Sequence, residues 1–596
     1  MNSTRKLYAF DRCGAYPLTE GRLLVRNPRN GRHAILTSEV YAALVYCRKF
    51  HTLEDHARRI TQANPALRGQ EDDVLGILQT VQRDGLMISA DIYALTLAPA
   101  ADPLFNLEKP VVAIITWERP EALARCLESL RTESDTSNLA RIVVIDDSRD
   151  ENNQRRNRIT TESFEAKVDT PVLHFGAEEQ LAFMKAIISQ VPAIEAQVRF
   201  LIDRERWADH WTSGLARTVA LLLSVGQRLL VLDDDILCKA YEPDTLPGVS
   251  FGDDARETRF YRNREEAREQ PVKEVSDPLI RHLRILGSDL RDALAALGAR
   301  SLDPTAFEGA DLDLMERLRG DSRVLVTECG TLGDPGTSDL NWLASLEGIS
   351  LETLLENDDN VDKAFSSRVC FNGVSQARVT PRATMSQLTG LDNRALLPPY
   401  IPILRGEDRL FGDMLEFVHP HAVVVDQPWA IAHEPLPERQ WSAAEQSFQT
   451  EQPFERLGLR WVEENMGISK SREPLKRLGQ LAGLYESLAD MDEQALQSAY
   501  QDASIGAQAA DYRLLKQALE MSGEQAPQRW REFLQGGVDR LNHALIDNPP
   551  DAPVTGYPAG LQDEALFEWW RAFWLEFARA LRMWPAIRQA ARQVKF

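Results

Sequence analysis

Residues 214–238 read GLARTVALLLSVGQRLLVLDDDILC. Leu215, Ala216, Val219, Leu222 and Leu223 recur at steps of three and four, the spacing of one helix face. Gly226 ends that pattern, and Leu229–Leu230–Val231–Leu232 is an apolar run of strand length. The strand closes on Asp233, Asp234 and Asp235. Three adjacent carboxylates repel one another. A divalent cation carrying phosphate oxygens removes that penalty, because hard cations take oxygen ligands and dehydrate only in part. A solvated acidic turn is the alternative reading of this segment taken alone.

The chain around it has 596 residues, too many for one ordinary core, so roughly two to four domains are expected. With 43% apolar and 27% charged residues it is globular in composition. A formal charge of −22 argues against nucleic acid as partner, since that affinity comes from Lys and Arg on phosphates. No apolar run approaches the roughly 20 residues of a membrane span. MNSTRKLYAFDRCGAY lacks the apolar core of a signal peptide. The six cysteines are scattered without a CxxC pair, which suits reduced thiols in the cytoplasm.

Upstream, EGRLLVRNPRNGRHAIL (20–36) alternates around turn residues and predicts a hairpin. Thr37 or Ser38 caps a helix bearing Val40, Leu44 and Val45; further helices fit 53–63 and 71–84, and Gly85 leads into a strand at 86–88. Hairpin, three helices and closing strand describe a winged-helix-like module. The order LTSEVYAAL, TLEDHARRI, VLGILQTVQRDGLM resembles the PqqD-like domains, over about seventy residues and without a diagnostic motif. That resemblance implies capture of a peptide as an added strand. A structural or dimerising winged helix is the competing reading.

Residues 98–103 (APAADP) form a linker by composition. In VVAIITWERPEALARCLESL, Val111–Ile115 is a strand, Thr116–Arg119 a loop, and Pro120 stands at the first helical position. The next strand, Ile142–Ile145, closes on Asp146-Asp147-Ser148. Strand–loop–helix–strand with polar strand ends opens a doubly wound sheet, whose ligands bind at the carboxyl edge of the strands. Together with GLARTVALLLSVGQRLLVLDDDI, these segments resemble the nucleotide-binding half of GT-A glycosyltransferases, closest to family 2.

The resemblance implies roles for individual residues. Thr116 and Arg119 would lie along base and ribose, Asp147 would bind uridine or an equivalent base, and Asp146, Arg217, Asp233 and Asp234 would belong to the same donor-binding set. The DXD motif maps onto Asp233–Asp235, with Asp235 the direct metal ligand. Arg217 stands where the family has Arg-Asn, but Thr218 replaces the Asn. Asp146-Asp147 read without the family is a helix cap or turn.

Between about 241 and 361 the chain departs from a minimal enzyme of this type. The spacing predicts helix at 256–274 and 279–297, and CGTLGDPG (329–336) reads as an active-site loop. LRGEDRLFGDML then resembles the family's acidic ED motif, which implies Asp408 as general base and Glu407 as acceptor-orienting; both could instead favour a helix N-terminus. After the strand Val423–Val425, His433 has the chain position of the late histidine that many GT-A enzymes use on their metal, with His419 and His421 as competitors.

Beyond 440 the chain is helical by composition, interrupted by Pro549-Pro550 through Pro558. Leu566, Trp569, Trp570, Phe573, Trp574, Phe577, Leu581 and Trp584 form a stripe, read as a core or domain interface. If exposed, it is a membrane-surface or homo-oligomer contact.

The expectation is therefore an α/β chain: a PqqD-like winged-helix domain (1–98), a GT-A domain (108–440) with a helical insertion at about 241–361, and an α-helical C-terminal domain (441–596). The resemblance implies a metal-dependent, inverting glycosyltransferase with Mn²⁺ or Mg²⁺ as cofactor and a UDP-sugar as the foremost donor. Its acceptor would be a peptide, protein or glycan, including polysaccharide and lipid-linked glycans, and its place the cytoplasm or the inner membrane face. A non-catalytic scaffold on the same fold and a nucleotidyltransferase are the other readings; the latter lacks its usual Gly-rich basic loop after Ile115.

Overall fold

Apolar residues in the central strands come in unbroken runs, so both faces of the sheet must be covered. The computed structural model describes residues 5–594 except 105–107, 244, 253–255, 270–272, 276, 385–386, 524 and 548–552. The fold is mixed α/β, with a large mixed sheet and a helical C-terminal region.

The first strands are β1 (Tyr8–Phe10), β2 (Gly14–Pro17), β3 (Arg22–Arg26), β4 (His33–Thr37) and β5 (Met87–Ser89). β3 and β4 form the expected hairpin, β2 pairs with β3, and β1 pairs with β5. Thr37 caps the helix Ser38–Val45, its side chain accepting from the amide of Val40. The next two helices run Leu53–Ala63 and Glu71–Arg83. This unit leans on the body of the protein: Phe50 exchanges backbone hydrogen bonds with Gly309 and Ala310, and it shares a core with Phe251 and Phe307.

The large sheet contains β6 (Val111–Thr116), β7 (Arg141–Asp146), β8 (Val172–Phe175), β9 (Arg228–Asp233), β10 (Ile236–Glu242), β11 (Val249–Phe251), β12 (Glu257–Tyr261) and β13 (Lys273–Val275). It continues with β14 (Val324–Gly333), β15 (Val369–Gly373), β16 (Ala377–Thr380), β17 (Leu388–Asp392) and β18 (Val423–His433). Its main path is β11-β16-β18-β14-β17-β9-β6-β7-β8. β8, β7, β6 and β9 are parallel neighbours, which makes the junction of β6 and β9 the point where strand order reverses. Alternate residues divide between two cores: Val111, Ala113 and Ile115 face one, Val112 and Ile114 the other.

The stretch from 241 to 361 differs from the helical insertion expected. The span 256–274 is not one helix: β12 is followed by a short helix, Arg264–Glu269, and then β13. The span 279–297 is two helices, Pro278–Ile285 and Leu290–Ala296, separated at Gly287 with φ +76°. CGTLG is the end of β14, a strand inside the sheet between β17 and β18. Backbone pairing of these residues with β18 and β15 outweighs the turn preference of the glycines.

The last helix, Asp563–Gln593, buries Trp570, Phe573, Trp574, Phe577, Leu581 and Trp584 in the core of the main sheet. The membrane or homo-oligomer contact expected of an exposed stripe is therefore not offered by these residues. Trp584 donates its indole N–H to the carbonyl of Leu397 at 2.6 Å, and buried Arg588 donates to the carbonyls of Asn393 (2.9 Å) and Ala395 (2.8 Å). Pro549 and Pro550 lie outside the described residues, and among the described residues no helix is long and apolar enough to cross a membrane. All six cysteines are free thiols.

Candidate functional site

Thr116 ends β6 and Asp233 ends β9, so both stand at the reversal of strand order, where open α/β sheets receive ligands. Glu118 follows with φ +55°, a conformation rare outside glycine. It is held there from several sides. Its amide donates to Ser148 Oγ at 2.8 Å, while its carboxylate accepts from the amide of Asp150 (2.9 Å) and Asn153 Nδ2 (2.7 Å). Backbone strain so firmly fixed is a mark of functional loops. Its effect here is to turn Arg119 inward over the ends of β6 and β9.

The acidic cluster is dense and almost wholly paired. Asp234, fully buried, accepts from Thr116 Oγ1 at 2.7 Å and pairs with Arg119 Nη2 at 2.7 Å. Arg119 Nη1 reaches Asp235 Oδ2 at 2.5 Å, and the other oxygen of Asp235 faces His433 Nε2 at 3.1 Å. Asp233 is the most open of the three and accepts from Arg217 Nη2 at 3.0 Å. Burial, reinforced by its aspartate neighbours, raises the pKa of Asp234 against the pull of Arg119. Burial also opposes ionisation of Asp235, but His433 and Arg119 outweigh it and its pKa falls. The His433 pKa is raised in turn: burial works against the imidazolium, and Asp235 overcomes it.

His433 arrives by register. β10 follows Asp235 directly and pairs antiparallel with β18, setting Ile236 opposite His433. A bulge in β18 at Pro428 keeps that long strand continuous, because the ladder shifts between Gln427 and Ala430. Gly333 (φ +123°) lies against His433, where an added Cβ would fall 2.1 Å from the histidine carbonyl oxygen. The next residue, Asp334, then accepts from His433 Nδ1 through its backbone oxygen at 2.5 Å. Nδ1 therefore carries a proton and Nε2 is turned to the acidic cluster. Of CGTLGDPG, only this tip reaches the site. His419 and His421 bond the carbonyls of Leu396 and Arg317 instead.

Arg217, deeply buried, ties this cluster to the acidic helix start. Its Nε lies 3.7 Å from Glu407 Oε1, and the two carboxylates together raise its pKa against the effect of burial. Glu407 and Asp408 open the helix Glu407–Val418 behind Gly406 at φ +89°. Burial, aided by the charge of Asp408, raises the Glu407 pKa, while Arg217 and Ser213 oppose it. Thr218 accepts from the amide of Tyr400 at 3.1 Å, which anchors the segment leading to Glu407. Gly214 permits the close approach of that segment: an added Cβ would lie 1.9 Å from the Ile401 carbonyl oxygen, a backbone atom that cannot step aside. Gly214→Ala is expected to cost about 1–3 kcal/mol in denaturant unfolding, and to weaken any ligand that spans Asp233 and Glu407.

The two strand-end aspartates of β7 divide. Asp146 is turned into the fold, accepting from the Ser148 amide (3.0 Å) and lying 3.2 Å from His174 Nε2, so it supports the strand end. Asp147 accepts from the Thr212 hydroxyl and lies 3.5 Å from Arg204 Nε; burial raises its pKa against both. Its amide donates to Thr116 O at 3.0 Å, linking it to the β6 loop.

Several neighbours have no role in the motifs. Trp117 and Trp211 are both part-exposed, with ring centroids 5.5 Å apart, and Arg405 lies 4.0 Å over Trp211. Asp334 takes Arg368 at 2.8 Å and Arg439 at 2.9 Å. Burial lowers the Arg405 pKa, Glu407 opposes it and the charges of Arg439 and Arg119 add to it, so three cations lie within electrostatic reach of one another near the acidic cluster. In a chain of net charge −22, such a concentration favours a polyanionic ligand. Among the described residues, no group of three or more His, Cys, Asp or Glu side chains is gathered for a metal ion, and Arg119 bridges Asp234 and Asp235. The donor atoms nevertheless suit a divalent cation: carboxylates from Asp233 and Asp235, and an imidazole whose far nitrogen is fixed by a carbonyl.

No family model matches the chain, and no curated protein matches it. Among solved structures it is similar to the mannosyltransferase PcManGT from Pyrobaculum calidifontis in complex with GDP-Man and Mn²⁺. That likeness has a TM-score of 0.28 and 13% identity, and covers 83% of this chain and 99% of the other. It is too distant to bear on individual residues.

Proposed function

We propose that the chain is a GT-A-type, metal-dependent glycosyltransferase that moves a sugar from a nucleotide-sugar, a UDP-sugar foremost, to an acceptor hydroxyl with inversion. The observation that carries the reading is the joining of two acidic segments at the sheet's switch point. Asp233 at the end of β9 and Glu407 at the start of the later helix share Arg217, with the Arg119–Arg405–Arg439 cations beside them.

In this mechanism Asp408, part-exposed at the helix start, takes the proton of the acceptor hydroxyl as it attacks the anomeric carbon. Glu407, held by Arg217 and Ser213, orients the acceptor. Asp147 faces the base, Thr116 and the β6 loop flank the ribose, and the three arginines face the diphosphate. Asp233, Asp235 and His433 would hold Mn²⁺ or Mg²⁺, which when bound offsets charge on the departing nucleoside diphosphate. Domains at 1–98, 108–440 and 441–596 belong to the same proposal, with the first, PqqD-like, presenting a peptide or protein acceptor.

A thermal-shift panel of nucleoside diphosphates and nucleotide-sugars, run with Mn²⁺ and with chelator, tests the donor half. A ligand bound only by the folded state raises the melting temperature by mass action, about 2.7 kcal/mol at a hundredfold excess over Kd. One nucleotide giving a rise that chelator removes is the expected result. No rise with any of them would overturn the reading in favour of a non-catalytic scaffold.

A further inference from the structure

Resting on that reading, we propose that Arg119 is an exchangeable counter-ion: it closes the acidic cluster in the free protein and leaves Asp235 only when a divalent cation and a diphosphate arrive together.

The guanidinium bridges two carboxylates at once, Asp234 at 2.7 Å and Asp235 at 2.5 Å. These two partners are not equivalent. Asp234 has no exposed side-chain surface and also holds Thr116, so it belongs to the frame of the strand end. Asp235 lies further out and faces His433, the one imidazole at the site with its far nitrogen fixed. The atoms best suited to a metal are thus already occupied by Arg119 and by each other.

A divalent cation entering alone would displace the guanidinium from Asp235 and leave it beside a doubly charged ion. At separations of about 4 Å that repulsion is severe wherever water is partly excluded. Arg405 and Arg439 add to it, since both sit within electrostatic reach of the same place. A diphosphate changes the balance. Its oxygens match the planar fork of arginine and give Arg119 a partner as good as the one it leaves. The side chain is free to make that move, because 35% of it is exposed while its partners are enclosed. The strained Glu118 before it, anchored through Ser148, Asp150 and Asn153, stays in place as the pivot.

Cation and diphosphate are then positively coupled, each raising the affinity of the other by one factor, as linkage requires. Arg119 is a positioning residue in this scheme and sets the order of assembly.

The test measures Mn²⁺ binding by electron paramagnetic resonance, with and without UDP or GDP, in the full chain. The parent protein is expected to bind Mn²⁺ weakly alone and about tenfold or more tightly with nucleotide. Arg119→Gln is expected to bind Mn²⁺ alone about tenfold more tightly than the parent and to lose most of the nucleotide-dependent gain. Because that variant strands Asp234, the double variant Arg119→Gln/Asp234→Asn removes the inner ion pair in balance and should show the same gain. Unchanged Mn²⁺ affinity in a folded Arg119→Gln or in the double variant overturns the proposal, as does parent affinity indifferent to nucleotide. The nucleotide-free arm reads the exchange by itself, so its failure is separable from a failure of the donor panel.

Discussion

Asp408→Asn is expected to lower the transfer rate by about 10²- to 10⁴-fold, the usual contribution of a positioned general base, while the nucleotide-dependent rise in melting temperature persists. The expectation follows from where the residue stands. Asp408 is in the first turn behind Gly406 and is part-exposed, whereas its neighbour Glu407 is buried against Arg217. The amide alters neither size nor the helix start, so the change removes basicity and little else. Asp235→Ala should show the opposite pattern: no metal-dependent thermal shift, and transfer lost because the donor is not held. Sugar transfer assayed beside the thermal-shift panel separates the two patterns. If both variants transfer at the parent rate, the site lies elsewhere.

Asp413→Asn should stabilise the protein in a pH-dependent way. Asp413 is buried in the helix Glu407–Val418, and burial raises its pKa to about 6, assisted by Glu463 and Glu416 against Arg382 and Arg409. Arg382 Nε lies 2.9 Å from its carboxyl group and also serves Glu416 and Glu463. A pKa raised on folding gives stability that is full below the unfolded value near 4 and is lost as pH rises through 6. The parent should therefore lose on the order of 3 kcal/mol between pH 4 and pH 7 at this residue. The asparagine variant lacks that loss, and Arg382 keeps two carboxylates. Unfolding free energies of the two proteins should diverge as pH rises and run parallel above about pH 7. A constant difference across the range would show that Asp413 does not titrate near 6.

The parallel strands were legible because each is an apolar run ending abruptly in polar residues: Val111–Ile115 at Thr116, Ile142–Ile145 at Asp146, Leu229–Leu232 at Asp233. Such runs have few other structures open to them. The segment 256–274 was not legible, because alternating charges suit an exposed helix and an edge strand about equally, and pairing with β15 decides for the strand. Sequence could nominate three late histidines. Only the register of β10 on β18, spanning almost two hundred residues, brings His433 to Asp235. Asp146 and Asp147 look alike as a dipeptide, but successive residues of an extended chain point opposite ways, which agrees with Asp146 meeting His174 and Asp147 meeting Thr212. Arg119 was placed with base and ribose by its motif, whereas its carboxylate partners come from another strand end. Trp211 and Arg439 sit in stretches without any signature, Arg405 stands just ahead of the ED segment without a role of its own there, and only their convergence distinguishes them.

The clamp formed by Trp584 and Arg588 on residues 393–397 bears on how the protein is made. The chain leaves the ribosome in order, and domains commonly fold as they emerge. The strands bearing Asp147 and Asp233 are synthesised hundreds of residues before the helix that pins the approach to Glu407. During that interval the parallel strands can take shape while the helix Glu407–Val418 lacks its backing. Residues 393–397 therefore gain these partners only after residues 563–593 have emerged and docked, and a chain cut short before them lacks that support.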